Sequence, residues 1–110
     1  NEFKIWGTGK PFREFLFLDD FADAVQFIID NNVNEKLLNV GSGEEISILD
    51  LVELIKEIIK FEGELVFDLD KPDGNPRKLL DSSKINNLGW SPKTKLREGI
   101  EKTYNWYKDN

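Results

Sequence analysis

The chain has 110 residues, 39% hydrophobic and 33% charged, the balance of one globular domain with a modest core. Its 15 Lys and Arg against 21 Asp and Glu leave a net charge of −6, which offers no basic face to extended nucleic acid. No apolar run is long enough for a membrane span, and the absence of His and Cys removes disulfides, thiol nucleophiles and the usual zinc and copper ligands.

In chain order, "EFKIW" (Glu2–Trp6) is predicted to be a strand and "GTGKP" a turn, followed by a second extended run, "REFLFL". Asp19 or Asp20 is the expected N-cap of a helix whose apolar positions are Phe21, Ala24, Val25, Ile28 and Ile29. "NNVNEK" is polar loop, and "LLNV" is expected to be a short strand ending at "GSG". Ser47 and Asp50 have capping-box spacing before a helix with Ile48, Leu51, Val52, Ile55, Ile58 and Ile59 along one stripe. Gly63 is expected to end that region, and "ELVFDLD" returns to strand. "KPDGNPRK" carries two prolines and a glycine and is expected to be irregular throughout. A short helix capped by Asp81 or Ser82 and stopped at Gly89 comes next, then a last helix from about Thr94. Alternating strands and three to four helices define an α/β class in one unit.

Several motifs have plain readings. "GSGEEI" has two glycines of a dinucleotide fingerprint, but Ile46 replaces the third and Glu44 and Glu45 would repel a pyrophosphate, so it reads as a tight turn. Tyr104 and Lys108 have Y-x-x-x-K spacing, yet Tyr104 belongs to an apolar stripe and Lys108 to a fraying end. "DLDKPDG" fails as a calcium loop, because counting from Asp68 the fifth position is Pro72 and the twelfth is Leu79. No metal is expected. The Asp19–Asp20 pair reads as helix capping. What remains is Lys10, Arg13, Lys71, Arg77 and Lys78, five of the 15 basic residues in two short loops, with Trp6 and Asp73 beside them. Guanidinium groups match phosphate oxygens and tryptophan offers a flat face to a base or sugar. A solvated turn with a core Trp is the alternative.

"WGTGKPFREFLFLDDFADA", "NVGSG" and "LGWSPKTKLREGIEKTYNWY" resemble segments of the extended short-chain dehydrogenase/reductases that act on nucleotide sugars. "KPDGNPRKLLD" resembles, more narrowly, the signature of the GDP-L-fucose synthase family, bifunctional 3,5-epimerases and 4-reductases of GDP-4-keto-6-deoxy-D-mannose. The resemblance implies that residues 1–110 are the carboxy-terminal substrate-binding domain of a longer enzyme, as the start at Asn1 without an initiator also suggests. It implies that Trp6, Arg13, Asp73 and Lys78 contact a GDP-sugar, with Lys10 and Arg77 less firmly matched. It further implies an amino-terminal NADP-binding Rossmann domain outside this chain that carries the catalytic Ser/Tyr/Lys set, no cofactor binding or activity by these residues alone, and a cytoplasmic homodimer. Phe17 departs from the family pattern, which usually has histidine there. A sister epimerase or dehydratase acting on a UDP- or dTDP-sugar, and a non-enzymatic interaction module, are the rival readings.

Overall fold

In the computed structural model, which describes residues 1–110, two strand–connector–strand segments run side by side in the same direction. The first is β1 (Glu2–Trp6), a turn at 7–11 and β2 (Phe12–Glu14); the second is β4 (Glu64–Asp68), a loop at 69–76 and β5 (Arg77–Lys78). β1 pairs in parallel with β4 from Glu2↔Glu64 to Trp6↔Asp68, and β2 pairs in parallel with β5 at Phe12↔Arg77 and Arg13↔Lys78. A third strand, β3 (Glu45–Ser47), adds antiparallel to the free edge of β2. The turn is therefore not a hairpin, since β1 and β2 take their backbone partners from other segments. "KPDGNPRK" is irregular only through Pro76, because Arg77 and Lys78 find the open edge of β2 and join it.

Parallel partners need a long connection, supplied here by α1 (Leu18–Asp30), β3 and α2 (Ile48–Ile59); α3 (Ser83–Leu88) and α4 (Leu96–Asp109) complete the chain. The α/β class with four helices agrees with the sequence. Ser47 caps α2 as its spacing predicts, its hydroxyl accepting from the Asp50 amide at 3.1 Å. Lys60, in the left-handed region at φ 58°, ends α2 in place of the expected Gly63. α1 corrects the expected cap. Its N-cap is the extended Phe17, which makes no side-chain cap, and Asp19 and Asp20 fall in the first turn. Asp20 is buried and accepts instead from the Thr94 amide at 3.0 Å and the Thr94 hydroxyl at 3.3 Å, tying α1 to the entry of α4.

A small core gathers where α1 meets α3, with Ala24, Ile85 and Trp90 buried and Phe27, Ile28 and Val40 packed against them. Trp90 donates from Nε1 to Asp23 at 3.0 Å, so its one polar atom is satisfied. The "LLNV" run does not form the expected strand. No strand of these 110 residues lies beside it and its backbone makes no backbone–backbone hydrogen bond, leaving Leu37 78% exposed.

The molecule is a slab of 51 × 34 × 18 Å with a radius of gyration of 16.6 Å, where a compact domain of this length would have about 13 Å. Its accessible surface is 8156 Å², against about 6,300 Å² for a globular monomer of its mass. Many large apolar side chains are exposed, among them Leu18, Leu69, Trp106 and Tyr107. A groove of about 630 Å³ runs between α2 and α4, lined by Phe17, Leu51, Ile55, Ile100, Tyr104 and Trp106 among others. Phe17 packs there against Gly99, where a Cβ would come within 3.2 Å of its ring. No helix is long and apolar enough to cross a membrane.

Because Ile85 is fully buried in so small a core, Ile85→Ala should destabilise the fold by about 3 kcal/mol and Ile85→Val by about 1 kcal/mol. Urea denaturation followed by circular dichroism checks both; equal stability of the Ala variant would place the core elsewhere.

Candidate functional site

The two side-by-side segments bring the sequence-predicted residues to one place. Trp6 ends β1, Lys10 lies in the turn and Arg13 in β2; Lys71 and Asp73 lie in the partner loop and Lys78 in β5. In-register neighbours of a sheet project to one face and successive residues to opposite faces. Arg13 and Lys78, paired across β2 and β5, therefore share a face. Neither forms an ion pair. The Arg13 guanidinium donates from Nη1 to the Phe12 carbonyl at 2.7 Å and leans over the loop, where a Cβ at Gly74 would lie 3.6 Å from Nη2. Trp6 is 67% exposed, with the Lys71 ammonium over its ring at 5.2 Å from the centroid.

Arg77 is placed differently. It sits one residue before Lys78, projects to the other face, and donates from Nε to Glu45 Oε1 at 2.6 Å. That pairing raises its pKa through the hydrogen bond and the charge of Glu45. Arg77 thus fastens β5 to β3 across β2. Glu14 shares that face: it accepts from the Gly43 amide at 2.7 Å and from the Leu80 amide at 3.2 Å, holding the "GSG" turn and the chain beyond β5 against β2. A side chain at Gly41 would push this carboxylate aside, since a Cβ there would lie 2.6 Å from Glu14 Oε2.

Asp73 joins the two connectors. Its Oδ1 accepts from the Thr8 amide at 2.6 Å and its Oδ2 from the Thr8 hydroxyl at 2.8 Å. The hydroxyl in turn accepts from the Lys10 amide at 3.2 Å. Gly7, at φ 81°, permits the approach, because a Cβ there would overlap the Asp73 carboxylate. The Thr8 amide, then its hydroxyl, then the charge of Lys10 hold the Asp73 carboxyl below its ordinary pKa. Thr8 and Glu14 were not singled out by sequence reasoning. Both fall inside the "WGTGKPFREFLFLDDFADA" segment that carries the family resemblance, but the partner of Thr8 is 65 residues away.

The remaining motifs stay apart from this cluster. Tyr104 lines the apolar groove between α2 and α4, with the Lys108 ammonium 4.8 Å from its ring centroid. The "GSG" turn does not fit a dinucleotide: the Gly43 amide is already taken by Glu14, and Glu44 and Glu45 flank it with negative charge.

Over this stretch the fold is that of the extended short-chain dehydrogenase/reductases. It superposes on a GDP-L-fucose synthetase from Naegleria fowleri bound to NADP with a TM-score of 0.92 at 30% identity, covering 99% of this chain and 35% of that one. It also superposes on a GDP-6-OMe-4-keto-L-xylo-heptose reductase from C. jejuni with a TM-score of 0.89 at 37% identity, covering 98% and 34%. Residues 1–41 match the NAD dependent epimerase/dehydratase family. The chain is homologous to GDP-L-fucose synthases: it is 53% identical over 109 residues to GDP-L-fucose synthase 1 of Arabidopsis thaliana, covering 99% of this chain and 34% of that protein. It spans about a third of the length of the curated relatives it matches.

A lowered carboxyl pKa means that the Thr8–Asp73 contact holds the loop fully above about pH 4, where a free aspartate is ionised, and is lost as pH falls through the depressed value. A carbon-detected NMR titration should give an Asp73 midpoint below that of a free aspartate at about 3.9. A midpoint at or above it would contradict the Thr8 contact.

Proposed function

We propose that these residues are the carboxy-terminal, substrate-binding part of a GDP-L-fucose synthase, which converts GDP-4-keto-6-deoxy-D-mannose to GDP-L-fucose by 3,5-epimerisation and NADPH-dependent 4-reduction. One observation carries the reading. Arg13 and Lys78 lie in register on one face with no carboxylate paired to either. Like charges at such positions destabilise a sheet, and an anionic ligand between them converts that repulsion into attraction. A diphosphate fits, since the guanidinium offers a planar fork and the ammonium a mobile point charge.

In this reading Arg13 clamps the pyrophosphate and Lys78 adds charge. Trp6 packs on the base or sugar, and Lys10 raises the local potential. Asp73 keeps a second lone pair on each oxygen beyond those used by Thr8, so it can still accept from a sugar hydroxyl or a base N–H. Arg77 is assigned no ligand. Positioning is the contribution of this part; cofactor and catalytic groups belong to the rest of a cytoplasmic, homodimeric enzyme. The homology to proteins named for GDP-sugars favours GDP over UDP or dTDP.

In the full-length protein, Arg13→Ala should weaken GDP binding about 10- to 100-fold, the loss of one charged hydrogen-bonding clamp. Titration calorimetry measures it, and unchanged affinity removes Arg13 from the site. In competition, GDP should displace UDP; the reverse order would assign the chain to a sister enzyme, and no nucleotide binding would leave the interaction module.

A further inference from the structure

From the geometry we infer that Thr8 is a positioning residue, latching the loop at 69–76 to the turn at 7–11 through Asp73 and so fixing the loop where Arg13 and Lys78 can hold a nucleoside diphosphate. The inference rests on the functional reading above. The two connectors are tied at their ends by backbone bonds, Gly7 N–H to the Asp68 carbonyl at 2.9 Å and Phe12 N–H to the Pro76 carbonyl at 2.9 Å. Between those ends, the two Thr8–Asp73 bonds are the hydrogen bonds that join them. Without them the loop, which has no helix or strand of its own, would hang between its anchors. It carries Lys71 above Trp6 and Gly74 below the Arg13 guanidinium, so its displacement would move both.

The chemistry of the latch requires the hydroxyl. Thr8 Oγ1 accepts from the Lys10 amide, which leaves its proton directed to Asp73 Oδ2, and such chained bonds polarise one another. Serine can make the same pair of bonds; valine, of nearly the same shape, can make neither. The contact lies in an exposed loop and holds no core residue in place, so its loss should loosen the loop and leave the global fold intact.

The test uses the full-length protein as wild type, Thr8→Val, Thr8→Ser, Asp73→Ala and the Thr8→Val/Asp73→Ala double variant. Hydrogen exchange without nucleotide reads the latch, and calorimetry with GDP on wild type and the two Thr8 variants reads its consequence. Thr8→Val should speed exchange at 69–76 about tenfold and weaken GDP about tenfold, with an unchanged melting temperature. Thr8→Ser should behave as wild type. Asp73→Ala, which also removes the bond from the Thr8 amide, should loosen the loop at least as much as Thr8→Val, and the double variant no more than Asp73→Ala, the signature of one shared interaction. Unchanged loop exchange in Thr8→Val, or an equal defect in Thr8→Ser, overturns the latch. A loosened loop with wild-type GDP affinity overturns the positioning role while the functional reading stands. No GDP binding by the wild type overturns the functional reading and the positioning role together.

Discussion

The parallel pairing of two distant segments is the constraint on which the rest of this structure depends. β1 with β4 and β2 with β5 form one continuous double track, bent where the two connectors sit side by side. Everything that makes the cluster chemically interesting lies at that bend. The strands fix the ends of the connectors, the Thr8–Asp73 contact fixes their middle, and Glu14 and Arg77 secure the reverse face. The two faces of the small sheet thus divide the work: on one, charges are neutralised within the fold, and on the other, Arg13 and Lys78 are left uncompensated.

This division explains how a chain of net charge −6 can present a locally basic surface. Solvent and salt screen separated surface charges over about 8 Å, so the neighbourhood of Arg13 is set by what lies beside it. Glu14, next to Arg13 in sequence, is occupied by two backbone amides on the far face, and Asp73 in the facing loop by Thr8. Trp6 and Lys71 extend the same surface, where a long charged side chain covers an exposed ring.

The sequence was most legible where structure is local. The stripes of α1, α2 and α4 follow helical periodicity, Ser47 caps as its spacing predicts, and Gly89 ends α3 at φ 115°. It was least legible where pairing is distant. Two extended runs separated by a turn of glycines and a proline show nothing of their partners, yet each finds a parallel one more than 60 residues on. "LLNV" has strand composition but no neighbour, and β3 and β5 are too short to show a period. Asp20 occupies a capping-like position because it is needed at Thr94, a tertiary demand invisible in the helix itself. At the candidate site, motif resemblance marked Trp6, Arg13, Asp73 and Lys78 and matched Arg77 less firmly; the opposite directions of Arg77 and Lys78 come from a strand only two residues long.

The distance in sequence between Thr8 and Asp73, 65 residues, also orders events as the chain folds. Closing so large a loop costs entropy before any contact repays it, whereas helices α1 and α2 need only neighbouring residues. The double track should therefore zip after the crossover helices have condensed, and the face that carries Arg13 and Lys78 would be the last region to mature and the first to open during unfolding.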